Sequence, residues 1–400
     1  MGFGKMMELL QEKNKGKIVL CNCGNFYIAT GKDAIVLYES LGLQLSCFKP
    51  EICKVGFPIA SLEKYTDMIQ EKGYGYIVYY FDKQKEELEK IKEYQGKEII
   101  LFNLKQEEYI MWLYEQLKNK TYKHGGYTEF YVTEPKVRKI EKSRYLDRIV
   151  HRWVVDNFLE PCYVPKFINT SYACLKNRGM HKAAIYVKNT MKHCKAKWNE
   201  YYILKMDVSK YFDNINKKIL LKILEKNIKD QELMWLIKEI LYANKREKGL
   251  EIGNYTSQMF ANIYLNEVDQ YIKHKLKVRY YCRYLDDSIV IVKTKKEAKE
   301  ILEKIKKYLK ENLELKLNQK TQIFKNKQGV NFCGYKINEY RMKLRDKGKR
   351  KLKKKVKKLK EEIKKGNLTS KQAKKYLAGH LGYIKYANNY NLLNKIFYIE

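Results

Sequence analysis

Proline is scarce, five in 400 residues, too few for a Pro-rich linker or spacer. No apolar run reaches the roughly 18 residues that a membrane-spanning helix needs. The start, Met1-Gly2-Phe3-Gly4-Lys5, lacks a signal-peptide pattern. A cytoplasmic protein with no membrane partner is therefore expected. The six His show neither triad nor ligand spacing. The nine Cys are an odd number without framework spacing, which fits reduced thiols better than disulfides. Cys21-x-Cys23 with Cys47 and Cys53 matches no common zinc module, so these four are expected as small core residues. Arginine is missing from the first third of the chain; the first is Arg138.

What is present is more telling. The chain is 45% hydrophobic and 13% aromatic, with 35 Tyr, which excludes a disordered polymer. Lys and Arg number 82 against 46 Asp and Glu, a net charge of +36. A surplus that large repels itself unless a polyanion neutralises it, which points to nucleic acid. Its distribution is uneven. Residues 1–105 hold 15 Lys and 14 acids, so nearly the whole surplus lies beyond them. Two kinds of domain with different tasks would produce this; a uniform compositional drift would not.

The N-terminal quarter reads as a small α/β unit. Residues 17–23 and 74–81 are strand-like, 33–41 and 61–72 helical, and the Lys- and Glu-rich stretch 82–98 reads as a solvated helical connector. From Gln106 onward, helical patterns alternate with a strand-like segment at 129–140 broken by Pro135, a short strand at 202–207, and two strand runs within 279–292. The last sixty residues are helical and very basic. The predicted fold class is α+β, with a module over 1–100, a central region over 101–340 and a basic helical region over 341–400.

The strongest chemical signal is Tyr284-Leu285-Asp286-Asp287, set between two apolar runs. Adjacent carboxylates held by a buried sheet repel one another unless a cation sits between them. A third carboxylate, Asp207, ends the 202–207 strand. Two divalent ions a few ångströms apart are what nucleotidyl transfer requires, and Mg²⁺ prefers carboxylate oxygen, water and phosphate. An Asp-Asp pair alone is ordinary in turns; the third Asp and the order of the other segments separate this one from a turn.

Those segments make residues from about 106 to 400 resemble reverse transcriptases, which implies a right-hand polymerase with fingers, palm and helical thumb. Tyr284–Asp287 is similar to the family's YxDD box, and Met206-Asp207-Val208-Ser209-Lys210-Tyr211-Phe212 to its first metal-binding motif. The resemblance implies that Asp207, Asp286 and Asp287 hold two Mg²⁺ or Mn²⁺ ions. It gives Phe212 the place of the ring that excludes a ribose 2′ hydroxyl. Pro135–Ile140 resembles the segment that grips the incoming dNTP, with Arg138 and Lys136 as phosphate ligands. Lys320 takes the place of a Lys assisting pyrophosphate departure, and Phe332-Cys333-Gly334-Tyr335 resembles the primer grip. Ile252-Gly253-Asn254-Tyr255-Thr256-Ser257-Gln258 carries an apolar residue and Ser-Gln where most of the family has Gln-Gly and Ser-Pro. Here the resemblance is to the reverse transcriptases of diversity-generating retroelements, which implies error-prone copying of a template RNA into cDNA. A small basic accessory protein is an implied partner, beside template RNA, the RNA–cDNA duplex and dNTPs. A reverse transcriptase of phage defence and a catalytically dead RNA-binding scaffold are the rival readings.

Two further segments complete the expectation. Residues 341–365 carry 15 Lys and Arg against 3 acids. Leu352, Val356, Leu359 and Ile363 fall at helical spacing, which leaves Lys351, Lys354, Lys355 and Lys358 to track phosphates. Residues 5–82 resemble the mismatch-contacting domain of MutS. Phe26 stands in the place of its wedge, and Ile28 replaces the glutamate that reads the base. A docking module, a duplex contact through Phe26 and a purely structural domain remain the three readings.

Overall fold

The computed structural model describes residues 2–14, 16–49, 52–82, 87–94, 98–133 and 137–397. The chain forms two compact units, residues 1–125 with 144–149, and residues 126–143 with 150–400.

The first unit is built on a six-stranded sheet. Its order is Ser46–Lys49, Ile52–Pro58, Phe26–Thr30, Ile18–Cys23, Tyr76–Asp82, Glu87–Tyr94. Only the pairing of Ile18–Cys23 with Tyr76–Asp82 is parallel. The strand period of two assigns side chains to the two faces. Ile18, Leu20, Tyr76 and Val78 pack with Ala34, Leu37 and Ile69 from helices Gly31–Leu41 and Leu62–Glu71. Val19, Cys21, Ile77 and Tyr79 pack with Met7 from helix Phe3–Lys13. Both faces are thus covered, which is why residues 18–21 can be apolar without interruption.

Two expectations fail in this unit. The stretch expected as a helical connector supplies the edge strand Glu87–Tyr94. Tyr76–Asp82 would otherwise present a bare row of backbone groups, and a strand whose outward residues are charged can close that edge. Leu88 and Tyr94 point to core, while Lys92 pairs with Glu63 at 2.5 Å and Glu93 accepts from Lys17 and Lys90. The four N-terminal cysteines are also not all core. Cys21 is buried and Cys53 half-buried, but Cys23 and Cys47 are exposed, because one ends its strand at a turn and the other lies on the outermost strand.

The second unit centres on a four-stranded antiparallel sheet ordered Tyr280–Tyr284, Asp287–Val292, Tyr202–Asp207, Gln322–Lys325. Helix Met180–Trp198 buries Ala183, Val187 and Met191 against Ile203, Ile289 and Ile291. Helix Lys295–Leu313 covers the sheet as well. A small sheet of Val330–Phe332, Tyr335–Ile337 and Met342–Leu344 shares that core, as do the basic helix Asp346–Lys364 and helix Ser370–Lys385. Tyr127–Val132 and Arg138–Ser143 form a separate two-stranded ribbon.

The turn between Phe332 and Tyr335 is tied down from two sides. The Tyr335 hydroxyl lies 2.8 Å from His181 Nδ1 and 3.1 Å from the Tyr383 carbonyl. The His181 ring stacks on Tyr386 at 4.2 Å. Gly334 has φ +83°, and a Cβ there would stand 2.9 Å from the Tyr383 ring. Both backbone conformation and space therefore demand glycine.

Candidate active site

Three carboxylates meet at one end of the four-stranded sheet. Asp207 is the last residue of its strand and sits opposite Asp287, the first of the neighbouring strand. Asp286 occupies the turn before it, and its carbonyl accepts from Val208 N at 3.3 Å. The Asp207 carbonyl accepts from Asn318 N at 2.7 Å, which fixes the turn carrying Lys320 beside the same strand end.

The electrostatics follow from this crowding. Burial, and then the charge of Asp207, raise the Asp286 carboxyl above its ordinary range, while Arg138 and Arg283 oppose the rise. Burial pushes Asp287 up to about 6, against the pull of Lys205, whose Nζ lies 3.2 Å from Asp287 Oδ2. Asp287 Oδ1 is buried and lacks a hydrogen-bond partner. An orphaned carboxylate oxygen among like charges fits a cation ligand. Among the described residues, no group of three or more His, Cys, Asp or Glu side chains forms a ready-made metal cage. Carboxylate oxygens are the protein ligands that a hard divalent cation such as Mg²⁺ takes beside water and phosphate.

The other expected site residues are spread over several elements. Arg138 opens the second strand of the ribbon, is exposed, and acts electrostatically on Asp286, so it stands close to the carboxylates. Lys136 lies outside the described residues. Phe212 is half-buried and its carbonyl accepts from Leu250 N at 2.8 Å. Phe332 and Tyr335 are 1% and 0% exposed, so the side chains anchor their turn and leave Cys333-Gly334 at its tip. On the basic helix, Leu352, Val356 and Leu359 are buried, Lys354 and Lys358 are exposed, and Lys351 and Lys355 lie half-buried near His380. Phe26 belongs to the other unit, where it is 47% exposed.

Ile252 and Gly253 are held by the ribbon. Ile252 O accepts from Glu141 N at 3.0 Å. Asn254, 1% exposed, accepts from Ser143 N at 3.1 Å and Ser143 Oγ at 2.7 Å, and donates to the Glu141 carbonyl at 3.2 Å. Gln258 is half-buried on the helix that follows. Behind this clamp, Arg246 pairs with Glu141 at 2.6 Å and with Glu251 at 3.9 Å, and Lys217 lies 4.0 Å from Glu251. Apart from Asn254, which lies within the Ile252–Gln258 segment, none of these supporting residues stood out in the sequence. The signal that could have found them is a charged or amide side chain within an otherwise buried stretch.

Comparison with known proteins identifies the family. Residues 123–337, more than half of the chain, match the family "Reverse transcriptase (RNA-dependent DNA polymerase)", and residues 2–107 match "MutS domain I". Protein YkfC of Escherichia coli is 28% identical over 246 residues, covering 50% of this chain and 63% of its own. The group II intron-encoded protein LtrA of Lactococcus lactis is 25% identical over 305 residues, covering 58% of this chain and 50% of its own. The putative COX1/OXI3 intron 2 protein of Saccharomyces cerevisiae is 24% identical, covering 53% and 31%. The chain thus spans less than two thirds of the length of these relatives. A solved telomerase from Candida albicans, in complex with a fragment of telomeric RNA, is a looser likeness, with TM-score 0.44, 12% identity, and coverage of 72% of this chain and 57% of that one. The match across residues 123–337 places the chain in the reverse transcriptase family.

Proposed function

We propose that this protein copies RNA into DNA. The observation that carries the reading is the meeting of Asp207, Asp286 and Asp287 at one strand end, with a buried carboxylate oxygen left unpartnered. Asp207, Asp286 and Asp287 would hold Mg²⁺, which when bound activates a 3′ hydroxyl and neutralises the triphosphate. Arg138 grips the triphosphate bidentately and Lys136 assists. Phe212 closes the sugar pocket against a 2′ hydroxyl, and Lys320 attends the leaving pyrophosphate. In this reading the ribbon 127–143 belongs to the fingers, the four-stranded sheet to the palm, and the helices after 346 to the thumb. The Cys333-Gly334 turn bears on the primer, and Lys351, Lys354, Lys355 and Lys358 face the duplex phosphates.

The finer role is error-prone copying of a template repeat in a diversity-generating retroelement. Ile252 supports it: an apolar side chain cannot hydrogen-bond the template as an amide would. The N-terminal unit serves as a docking module for an accessory protein, since Phe26 and Ile59 present apolar side chains that are 47% and 39% exposed. Asp286→Asn tests the central claim. It should abolish Mg²⁺-dependent dNTP incorporation on a primed RNA template and leave RNA binding unchanged. Retained synthesis would refute the assignment.

A further inference from the structure

The first unit holds a cavity of about 270 Å³ with no part in the chemistry above. Its size is near the lower limit of small-molecule pockets, roughly 300 Å³. Tyr109, Trp112 and Tyr145 line it, together with Lys123, Arg144 and Asp147. Phe102 stacks on Tyr109 at 6.0 Å with only 18° between the rings, and meets Tyr145 at 5.1 Å, so the aromatic wall is preformed. Trp112 is 49% exposed, on a helix that also exposes Met111 and Tyr114. Exposed flat rings beside a cavity form a stacking platform.

The polar part is equally specific. Asp147 is 4% exposed, accepts from the Tyr122 hydroxyl at 2.6 Å and from Gly125 N at 3.1 Å, and lies 3.9 Å from His124 Nδ1. Each carboxylate oxygen has capacity for a second donor. Gly125 gives Arg144 its place, since a Cβ there would stand 2.7 Å from Arg144 Cδ. The cavity therefore offers ring faces, an acceptor, and two cations among its lining residues.

We infer that this cavity binds an unpaired guanine nucleotide of an RNA strand. Single-stranded RNA is recognised by splaying bases onto aromatic faces and reading their pairing edges. A carboxylate only accepts, so it selects an edge of donors. Guanine presents N1–H and N2–H₂ side by side; adenine and cytosine set an acceptor next to their amino group, which the carboxylate repels. Lys123 and Arg144 supply the charge for the phosphate. The inference rests on the reading that the protein handles RNA, but its test needs neither metal nor synthesis.

The test is calorimetric titration of the whole chain, in EDTA, with GMP and with AMP. GMP should bind with one-to-one stoichiometry, about tenfold more tightly than AMP, as one well-matched base edge warrants. Trp112→Ala, at a half-exposed position that leaves the fold intact, should weaken GMP binding about tenfold. Asp286→Asn should leave GMP binding unchanged, which separates this cavity from the polymerase site. Equal affinity for GMP and AMP, undiminished binding by Trp112→Ala, or the absence of binding by the unaltered chain would each overturn the inference. Failure of GMP binding with intact RNA-templated synthesis would leave the polymerase reading standing.

Discussion

Arg283 and Asp269 form a buried bidentate ion pair directly behind the turn that carries Asp286. Arg283 Nε reaches Asp269 Oδ1 at 2.8 Å, a terminal nitrogen reaches Oδ2 at 2.6 Å, and the residues are 2% and 0% exposed. The pair is fully satisfied: Tyr281 OH donates to Asp269 at 2.7 Å, and the other guanidinium nitrogen donates to Asn262 Oδ1 at 3.2 Å and to the Leu285 carbonyl at 3.1 Å. Leu285 has φ +53°, a conformation a branched residue adopts only when held. The Arg283 bond to its carbonyl and the pairing of Tyr284 with Asp287 hold it.

Removing one partner should therefore be severe. Arg283→Met leaves the Asp269 carboxylate buried without its counter-charge, with only the Tyr281 hydroxyl among the described residues still donating to it, and should cost about 3–5 kcal/mol of stability in a denaturant titration. Arg283→Lys keeps the charge but cannot reach both carboxylate oxygens and Leu285, so RNA-templated synthesis should fall further than the loss of folded protein explains. Equal stability of Arg283→Met and the unaltered chain would show that the pair does not support the turn.

The clamp on Ile252 gives a second prediction. Asn254→Ala removes the acceptor of Ser143 N and Oγ and the donor to the Glu141 carbonyl. Unmet buried groups cost about 1–3 kcal/mol each. The variant should melt earlier, and sequenced cDNA from it should show a changed spectrum of misincorporation. Ile252→Gln should change the errors opposite template adenine without the loss of stability.

Lys217 should make stability rise with pH. It is fully buried, burial lowers its ammonium from the ordinary 10.5 to about 8, and Glu251, Arg246 and Glu141 are the charged groups that act on it. Its Nζ donates to Asn244 Oδ1 at 2.6 Å. Between about 8 and 10.5 the unfolded chain keeps the proton that the folded chain has lost, so its contribution to stability grows with pH across that window. Below about 8 both states are protonated and the desolvation penalty is present in full. Lys217→Met removes this titration, so its stability relative to the unaltered chain should fall as pH rises from about 8 to 10.5 and stay level below about 8, when unfolding midpoints are followed over pH.

The basic helix should act through salt. Lys354 and Lys358 are exposed, so Gln at either should leave stability unchanged. Each phosphate contact removed should reduce the slope of log affinity against log salt by about 0.7–0.9. An unaltered slope would take these two lysines off the nucleic acid.

The legible parts of the fold were those where burial imposes a pattern. Tyr202–Asp207 and the runs around Asp286 read directly as strands because they are short and rich in apolar, aromatic and β-branched residues. Glu87–Tyr94 did not, since its apolar residues Leu88, Ile91 and Tyr94 recur every third position among Lys and Glu, a spacing that resembles a solvated helix. The carboxylates could be found from residue type alone, but their supports could not. Asp269 and Arg283 lie on different elements, and Asn254 meets Ser143 across 111 residues, so only the folded chain brings the partners together.

The aromatic staple at the Cys333-Gly334 turn has a mechanical consequence. Tyr335 is bonded to His181 on one helix and to the Tyr383 carbonyl on another, and the ring of Tyr383 leaves no room beside Gly334. Strain applied to the Ser370–Lys385 helix thus reaches the hairpin tip without slack. Lys205 extends the linkage, bonding the Asn331 carbonyl at 2.8 Å and Asp287 at 3.2 Å. The contacts thus run, through the side chains of Tyr383, Tyr335 and Lys205 and the hairpin between them, from the C-terminal helix to Asp287.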